Sequence, residues 1–159
     1  MKSGENPFVA YLERLRDEND RAALAKLRRG LGKKMGTPEM YPFVVPFMPD
    51  DRRVREHYFL VASLFASHPD PAPIERSMGG VFKAILGKTE SDSIEKRFVQ
   101  LLSADIEDVG KYLRHAISLA RSKGVAVNYH RLLSDLRYWE HRDRFVQLQW
   151  ARDFWGFQK

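Results

Sequence analysis

The chain has 159 residues, and 27 Lys and Arg against 21 Asp and Glu give a formal net charge of +6. Hydrophobic residues at 43% and aromatics at 12% support a packed core and exclude wholesale disorder, in one domain of ordinary size or two small lobes. The absence of cysteine excludes disulfides, thiolate nucleophiles and every cysteine-bearing zinc or iron–sulfur site.

Apolar residues recur with helical spacing nearly throughout. Pro7 suits a helix start, and Phe8, Tyr11, Leu12 and Leu15 follow at intervals of three and four. Asn19 or Asp20 caps a second helix with inner face Ala23, Leu24, Leu27 and Leu31, broken by Gly30 and Gly32. Residues 33–50 read as an irregular connection, because Pro38, Pro42, Pro46 and Pro49 interrupt any regular element; Phe43, Val44 and Val45 have no room to ladder as a strand. Asp50 or Asp51 then caps a long helix with Val54, Tyr58, Val61, Ala62 and Phe65 on one stripe, stopped by His68 and Pro69.

After a proline-rich turn over 68–76, a shorter helix carries Met78, Val81, Phe82, Ile85 and Leu86 and halts at Gly87. Asp92 and Glu95 read as a capping box for a helix with Ile94, Phe98, Leu101 and Leu102 inward. The next is predicted to open at Ala104 and Asp105, with Ile106, Val109, Leu113, Ala116, Ile117 and Ala120 inward, and to close at Gly124. Asn128 caps a helix bearing Leu132, Leu133, Leu136 and Trp139, and a last helix runs from about Arg142 to Trp155 and buries Phe145, Leu148 and Phe154. No stretch alternates with period two over strand length. The expectation is one all-α domain over 1–159 with about eight helices, a smaller N-terminal part (1–70) packed with a C-terminal bundle (71–159).

The longest apolar run, 58–66 interrupted by Ser63, falls far short of the ~20 residues a membrane span needs. The opening MKSGENPFVAYLERLR has no continuous apolar core of a secretory signal, so a soluble, cytoplasmic protein without a membrane partner is expected.

Catalytic and metal-binding patterns are weak. Gly87-Lys88-Thr89 resembles the end of a P-loop, but Phe82 stands where the leading glycine is needed, and a helix precedes it in place of a strand. The five histidines (57, 68, 115, 130 and 141) form no His-x-x-x-His pair, so no metal or cofactor is expected. Asp105, Glu107 and Asp108 are better explained as offsetting a helix dipole than as acid–base groups, and no catalytic residue is expected.

The basic residues are better organised. Lys111, Arg114, Ser118 and Arg121 fall at i, i+3, i+7 and i+10, one stripe away from the apolar face of their helix and a plausible track for phosphates. Lys26, Arg28, Arg29, Lys33 and Lys34 cluster where a helix ends, with no acidic residue between 21 and 38. Arg52 and Arg53, Lys96 and Arg97, and Arg142 and Arg144 are further candidates; Arg53 and Arg142 gain weight because a helix N-terminus disfavours positive charge. Trp139, Trp150 and Trp155 would stack bases in a single-strand binder, but their helical spacing fits core packing better.

The run DRAALAKLRRGLG over 20–32 resembles the N-terminal element of the CasB family, the small subunit of the type I-E CRISPR Cascade complex. The remaining pieces follow in the family's order: YPF over 41–43, FLVASLFA over 59–66 with His68 and Pro69, EKRFVQLLSAD over 95–105, Leu113 and Arg114, LLSDL over 132–136 with Trp139, and WARDFW over 150–155. The resemblance covers nearly the whole chain, and its specificity lies in order, spacing and length together.

The resemblance implies a non-catalytic all-α protein, two copies of which stack head to tail beside the CasC filament that holds the guide RNA, with CasA, CasD and CasE as further partners. It also implies stabilisation of the R-loop by basic residues holding target and displaced DNA strands, while base pairing reads sequence. The family's basic contacts map onto Arg28, Arg29, Arg53, Lys96, Arg97, Arg114, Arg142 and Arg144. The chain departs from some members at His115 and Ile106, where they carry basic residues, so Lys111, Arg114 and Arg121 are expected to serve that helix face. The alternative class is a free-standing helical DNA-binding regulator, which needs a helix-turn-helix pair; the nearest candidate, around Ala104, carries Glu107 and Asp108, which repel phosphate. A helical metal-dependent nuclease would need carboxylates that converge, and none do in sequence.

Overall fold

The computed structural model describes residues 4–72, 76–89 and 91–156. Among these residues there are nine α-helices and no strand: α1 (Pro7–Asp17), α2 (Arg21–Arg28), α3 (Tyr41–Val44), α4 (Arg52–Ser67), α5 (Met78–Lys88), α6 (Asp92–Ser103), α7 (Val109–Ser122), α8 (Tyr129–Arg137) and α9 (Phe145–Trp155). The all-α expectation holds, with more than half of the chain in helix. The backbone forms two compact units, Met1–Pro69 and Asp70–Lys159. The turn expected over 68–76 falls partly on 73–75, outside the described residues.

In the first unit, Pro7 sits in the first turn of α1, where a missing N–H loses nothing, and the Asn6 side chain accepts from the N–H groups of Phe8 (2.8 Å) and Val9 (3.2 Å). Asp20 caps α2 through the Ala23 N–H and Asp51 caps α4 through the Arg53 N–H. Phe8, Leu12, Leu27, Val61, Ala62 and Phe65 are buried, and Phe8 stacks on Tyr58 with ring centroids 4.9 Å apart. Two expectations are corrected here. Leu31 lies beyond the end of α2 and is 38% exposed. The 33–50 connection is irregular only at 33–37 and 48–50: between them, 3₁₀ turns Pro38–Met40 and Val45–Phe47 flank the four-residue α3, a helix beyond the eight expected. Each turn carries a proline at its first or second position, where the fixed φ starts a helical turn without needing the absent N–H; the prolines therefore forbid one long helix and nucleate three short ones.

In the second unit, several boundaries move. Gly87 lies inside α5, which runs to Lys88. Ser91, not Asp92, is the N-cap of α6, its hydroxyl accepting from the Ser93 N–H. The α7 helix opens at Val109, so residues 104–108 form a turn in which the Asp105 carbonyl accepts from the N–H groups of Asp108 and Val109, and Ile106 is half-buried outside the helix. At the other end Gly124 adopts φ +68°, with its N–H on the Arg121 carbonyl and the Val125 N–H on Ala120, the paired bonds of a Schellman cap. Trp139 lies past α8 but is buried.

The largest correction concerns α9. It begins at Phe145, and its buried residues are Val146, Gln147, Trp150 and Phe154, while Phe145 and Leu148 are 45% and 62% exposed. At 100° per residue the two sets lie on opposite faces, and Trp150 decides which turns inward. Its indole is fully buried and donates to the Asp135 carboxylate at 2.7 Å, while Arg131 donates to both oxygens of Asp135 at 3.0 and 3.1 Å. Alongside, Gly79 of α5 lies against the Trp150 backbone so closely that a Cβ would run into the Trp150 carbonyl, and the Ser77 hydroxyl donates to Asp153 at 2.6 Å.

Two expected outcomes follow from this packing. Gly79→Ala gains about 1 kcal/mol of helix propensity but meets backbone that has no rotamer to yield, so it should be net destabilising by roughly 1–3 kcal/mol in chemical denaturation. The second involves Asp135, whose carboxyl is pushed above the usual range by burial, against the opposing pull of the Trp150 and Arg131 contacts. A carboxyl raised in the folded state binds its proton more tightly there than in the unfolded chain, so its contribution to stability falls as pH rises through the folded value. Stability of the wild type relative to Asp135→Asn should therefore decline from the usual carboxylate range towards neutrality; a pH-independent difference would show that burial exerts no net penalty.

Candidate nucleic-acid interface

In the second unit, α6 buries Ile94, Phe98 and Leu101 and leaves Lys96 and Arg97 exposed. On α7, Val109, Leu113, Ala116, Ile117 and Ala120 form the buried arc, and Lys111, Ser118 and Arg121 are exposed with Arg114 half-buried between them. The basic stripe expected from the sequence is thus a surface stripe. Among the described residues, Lys96, Arg97, Lys111, Arg114, Arg121 and Arg142 enter no ion pair, whereas Arg16, Arg29 and Arg131 each do. A solvated helix face balanced by its own carboxylates would look different.

A cleft of about 550 Å³ is lined by Phe82 of α5, Arg97 and Gln100 of α6, and Tyr112, His115, Ala116, Ser118, Leu119 and Ser122 of α7. It joins Arg97 to the edge of the α7 stripe at Ser118. The sequence carries a signal for it that the charge pattern overshadows: Tyr112, His115, Leu119 and Ser122 repeat the i, i+3, i+7, i+10 spacing of the basic stripe, one step round the helix.

Arg142 and Arg144 lie in the 140–144 loop, ahead of α9, so the dipole argument made for Arg142 does not apply. Arg144 holds the loop in place. It sits in the left-handed region at φ +51°, and its guanidinium donates to the Leu102 carbonyl in the last turn of α6 at 2.7 Å. The Trp139 indole donates to the Ala104 carbonyl at 2.8 Å, tying the same loop region to the end of α6. Trp139 and Trp150 are core residues; Trp155 is 47% exposed and donates to Glu95 at 2.8 Å.

In the first unit, Arg28 and Arg29 are exposed at the end of α2. Arg29 pairs with Glu39 at 2.7 Å, an acid one place beyond the acid-free stretch 21–38, and Lys26 lies 6.0 Å over the Phe43 ring. Arg53 is exposed in the first turn of α4, where the Asp51 cap offsets its conflict with the dipole. No group of three or more potential metal-ligating side chains converges among the described residues. No helix there is long and apolar enough to cross a membrane. Asp135, the buried carboxyl with a raised pKa, is committed to Trp150 and Arg131 inside the core.

Fold and site together define an all-helical protein that presents cations on its helix faces. Sequence comparison places it more closely: the profile of the CRISPR-associated protein Cse2 family matches residues 23–155, and the chain belongs to that family. The Cse2 protein of Thermus thermophilus is 35% identical over 162 residues, covering 98% of this chain and 92% of that protein. The crystal structure of M. ruber CasB superposes with a TM-score of 0.80 at 33% identity, over 98% of this chain and 94% of that one. A chain of a CRISPR RNA-guided surveillance complex shares the fold at 24% identity, with a TM-score of 0.75 over 92% of this chain and 88% of that one.

The geometry separates the arginines by role. Arg144→Ala should destabilise the fold by about 1 kcal/mol through the lost bond to Leu102, whereas Arg97→Ala and Arg114→Ala should change stability by no more than about 0.5 kcal/mol. Denaturant midpoints of the three variants check this directly.

Proposed function

We propose that this protein is a non-catalytic, cytoplasmic subunit of a type I-E RNA-guided surveillance complex, present in two copies, with guide RNA and the CasA, CasC, CasD and CasE subunits as partners. Its role is to hold the target and displaced DNA strands of the R-loop without reading their bases. Family membership and the fold shared with a chain of a surveillance complex support the setting. The observation that carries the reading of the site is the set of cations on α6 and α7 that no carboxylate neutralises among the described residues.

Phosphates are the natural counter-charge for such a surface. A strand carries them at regular intervals, and each one neutralised releases condensed counterions, which makes binding favourable and salt-dependent. Arg97, Lys111, Arg114 and Arg121 are the primary contacts in the second unit, with Lys96 and Arg142 as further ones. Arg28 and Arg53 serve in the first unit, where Arg29 must exchange Glu39 for phosphate. Arg144 acts mainly by fixing the loop that bears Arg142.

The test is a strand-opening assay of the assembled complex over a salt series on two unrelated targets. Replacing Arg28, Arg29, Arg97 and Arg114 by alanine should weaken the R-loop about equally on both, and flatten the salt dependence by roughly 0.7–0.9 units of slope per lost contact. Helix content should be unchanged, alanine being the best helix former. An unchanged slope would exclude phosphate contact, and a loss confined to one target would favour a sequence-reading regulator.

A further inference from the structure

We propose that the cleft between α6 and α7 seats one unstacked base of a single strand whose phosphates run along the α7 stripe. The proposal rests on the reading that the chain binds nucleic acid, and it adds a base-binding site to a surface otherwise read as phosphate-binding alone.

The lining has the chemistry of a nucleotide turned inside out. A base has apolar π-faces, an edge of donors and acceptors, and an anionic phosphate to one side. The cleft offers an apolar floor in Phe82, Ala116 and Leu119, an aromatic wall in Tyr112, a polar rim in Gln100, His115, Ser118 and Ser122, and a cation in Arg97. Its volume of about 550 Å³ falls within the range of roughly 300–1,000 Å³ usual for small-ligand sites. Lys111 holds its ammonium 5.7 Å from the centre of the Tyr112 ring, so a second cation stands next to the aromatic wall.

The rim is also unoccupied by the protein's own bonds. Among the described residues, Arg97, Gln100, His115 and Ser118 have no side-chain hydrogen bond or ion pair within the protein. Ser122 donates its hydroxyl proton to the Leu119 carbonyl at 2.8 Å, which leaves its oxygen as an acceptor. Gln100 and Ser118 can each donate or accept. A rim whose Gln100 and Ser118 can each turn to donate or accept selects no particular base, which suits a subunit that holds strands of any sequence. Charge makes the choice of ligand: no carboxylate lines this cleft, whereas a second one of about 620 Å³ in the same unit is lined by Asp92 and Glu95 and would repel phosphate.

A base in a duplex is stacked on both sides and cannot enter, so the site distinguishes single strands. The experiment titrates the full chain at low salt with fluorescently labelled oligothymidylate and with an abasic oligomer carrying the same number of phosphates. The abasic strand should bind about tenfold more weakly, the usual scale of base–aromatic stacking. Tyr112→Ala should weaken the intact strand by a similar factor and leave the abasic one unchanged, Tyr112→Phe should retain wild-type binding, and Arg97→Ala alone of these should flatten the salt slope. Gln100→Ala, at an exposed position, gives a second cleft variant that should weaken only the intact strand. Equal binding of intact and abasic strands with a normal salt slope would overturn the cleft and leave the phosphate reading standing. Binding of neither would overturn both. Displacement of the strand by thymidine monophosphate at strand-like concentrations would make this a free-nucleotide site and overturn the proposal.

Discussion

Burial of Trp150 is the constraint on which the second unit depends. A fully buried indole needs an acceptor, and the one it has is a carboxylate on α8 that is itself costly to bury. Arg131 answers that charge from the preceding turn of the same helix. On the other side, only a glycine lets α5 approach the Trp150 backbone, so α5 and α9 pack with Gly79 against the Trp150 carbonyl. The phase of α9 is therefore fixed by one residue. Val146, Gln147 and Phe154 turn inward with it, and Gln147 donates to the Trp139 carbonyl at 2.8 Å. Trp139 in turn donates to Ala104, and Arg144 to Leu102, at the end of α6. A series of directional bonds thus runs from the core tryptophan to the helix that carries Lys96 and Arg97.

This arrangement separates two uses of charge. Arg131 and Arg144 are tied down by specific acceptors, and the fold would feel their loss. Lys96, Arg97, Lys111, Arg114 and Arg121 make no ion pair, and the opposite faces of their helices are anchored by Phe98, Leu113 and Ile117. Long side chains on rigid helices keep their cations in register without fixing each terminal group. Such a surface can meet a phosphate track with local adjustment, and it does not require a unique backbone conformation of its partner.

Much of the fold is legible from apolar spacing and capping residues. Asp20, Asp51 and Asn128 cap the helices expected of them, and most of the buried positions of α1, α6 and α7 follow the pattern, whereas α4 buries Phe59, Leu64 and Ala66 beside its expected stripe and leaves Val54 and Tyr58 half-buried. The failures share a cause. On α9 both faces are apolar, and periodicity alone cannot weigh Phe145 and Leu148 against Val146 and Trp150; the decision comes from Asp135 and Gly79, remote in sequence. In the 33–50 connection a proline reads as a breaker, although it equally well begins a short turn. At 104–108 the apolar Ile106 extends the pattern of α7 one turn too far. The α7 stripe is legible because a single helix carries it, whereas only the α7 wall of the α6–α7 cleft is, because the cavity itself appears only when Arg97 and Gln100 of α6 line it with Tyr112 and His115.

His115 lines the α6–α7 cleft together with Arg97 and does not extend the α7 stripe. Ile106 lies in the turn ahead of α7, half-buried, where a cation would be off the helix face that Lys111, Arg114 and Arg121 share. Positive charge is therefore concentrated on one edge of α7, and the adjoining edge is given over to an aromatic ring and neutral polar groups. Phosphates and bases divide a strand in the same way, charged on one side and flat and hydrogen-bonding on the other. A helix whose neighbouring edges differ in that sense can hold a strand by its backbone, leaving the choice of sequence to base pairing elsewhere.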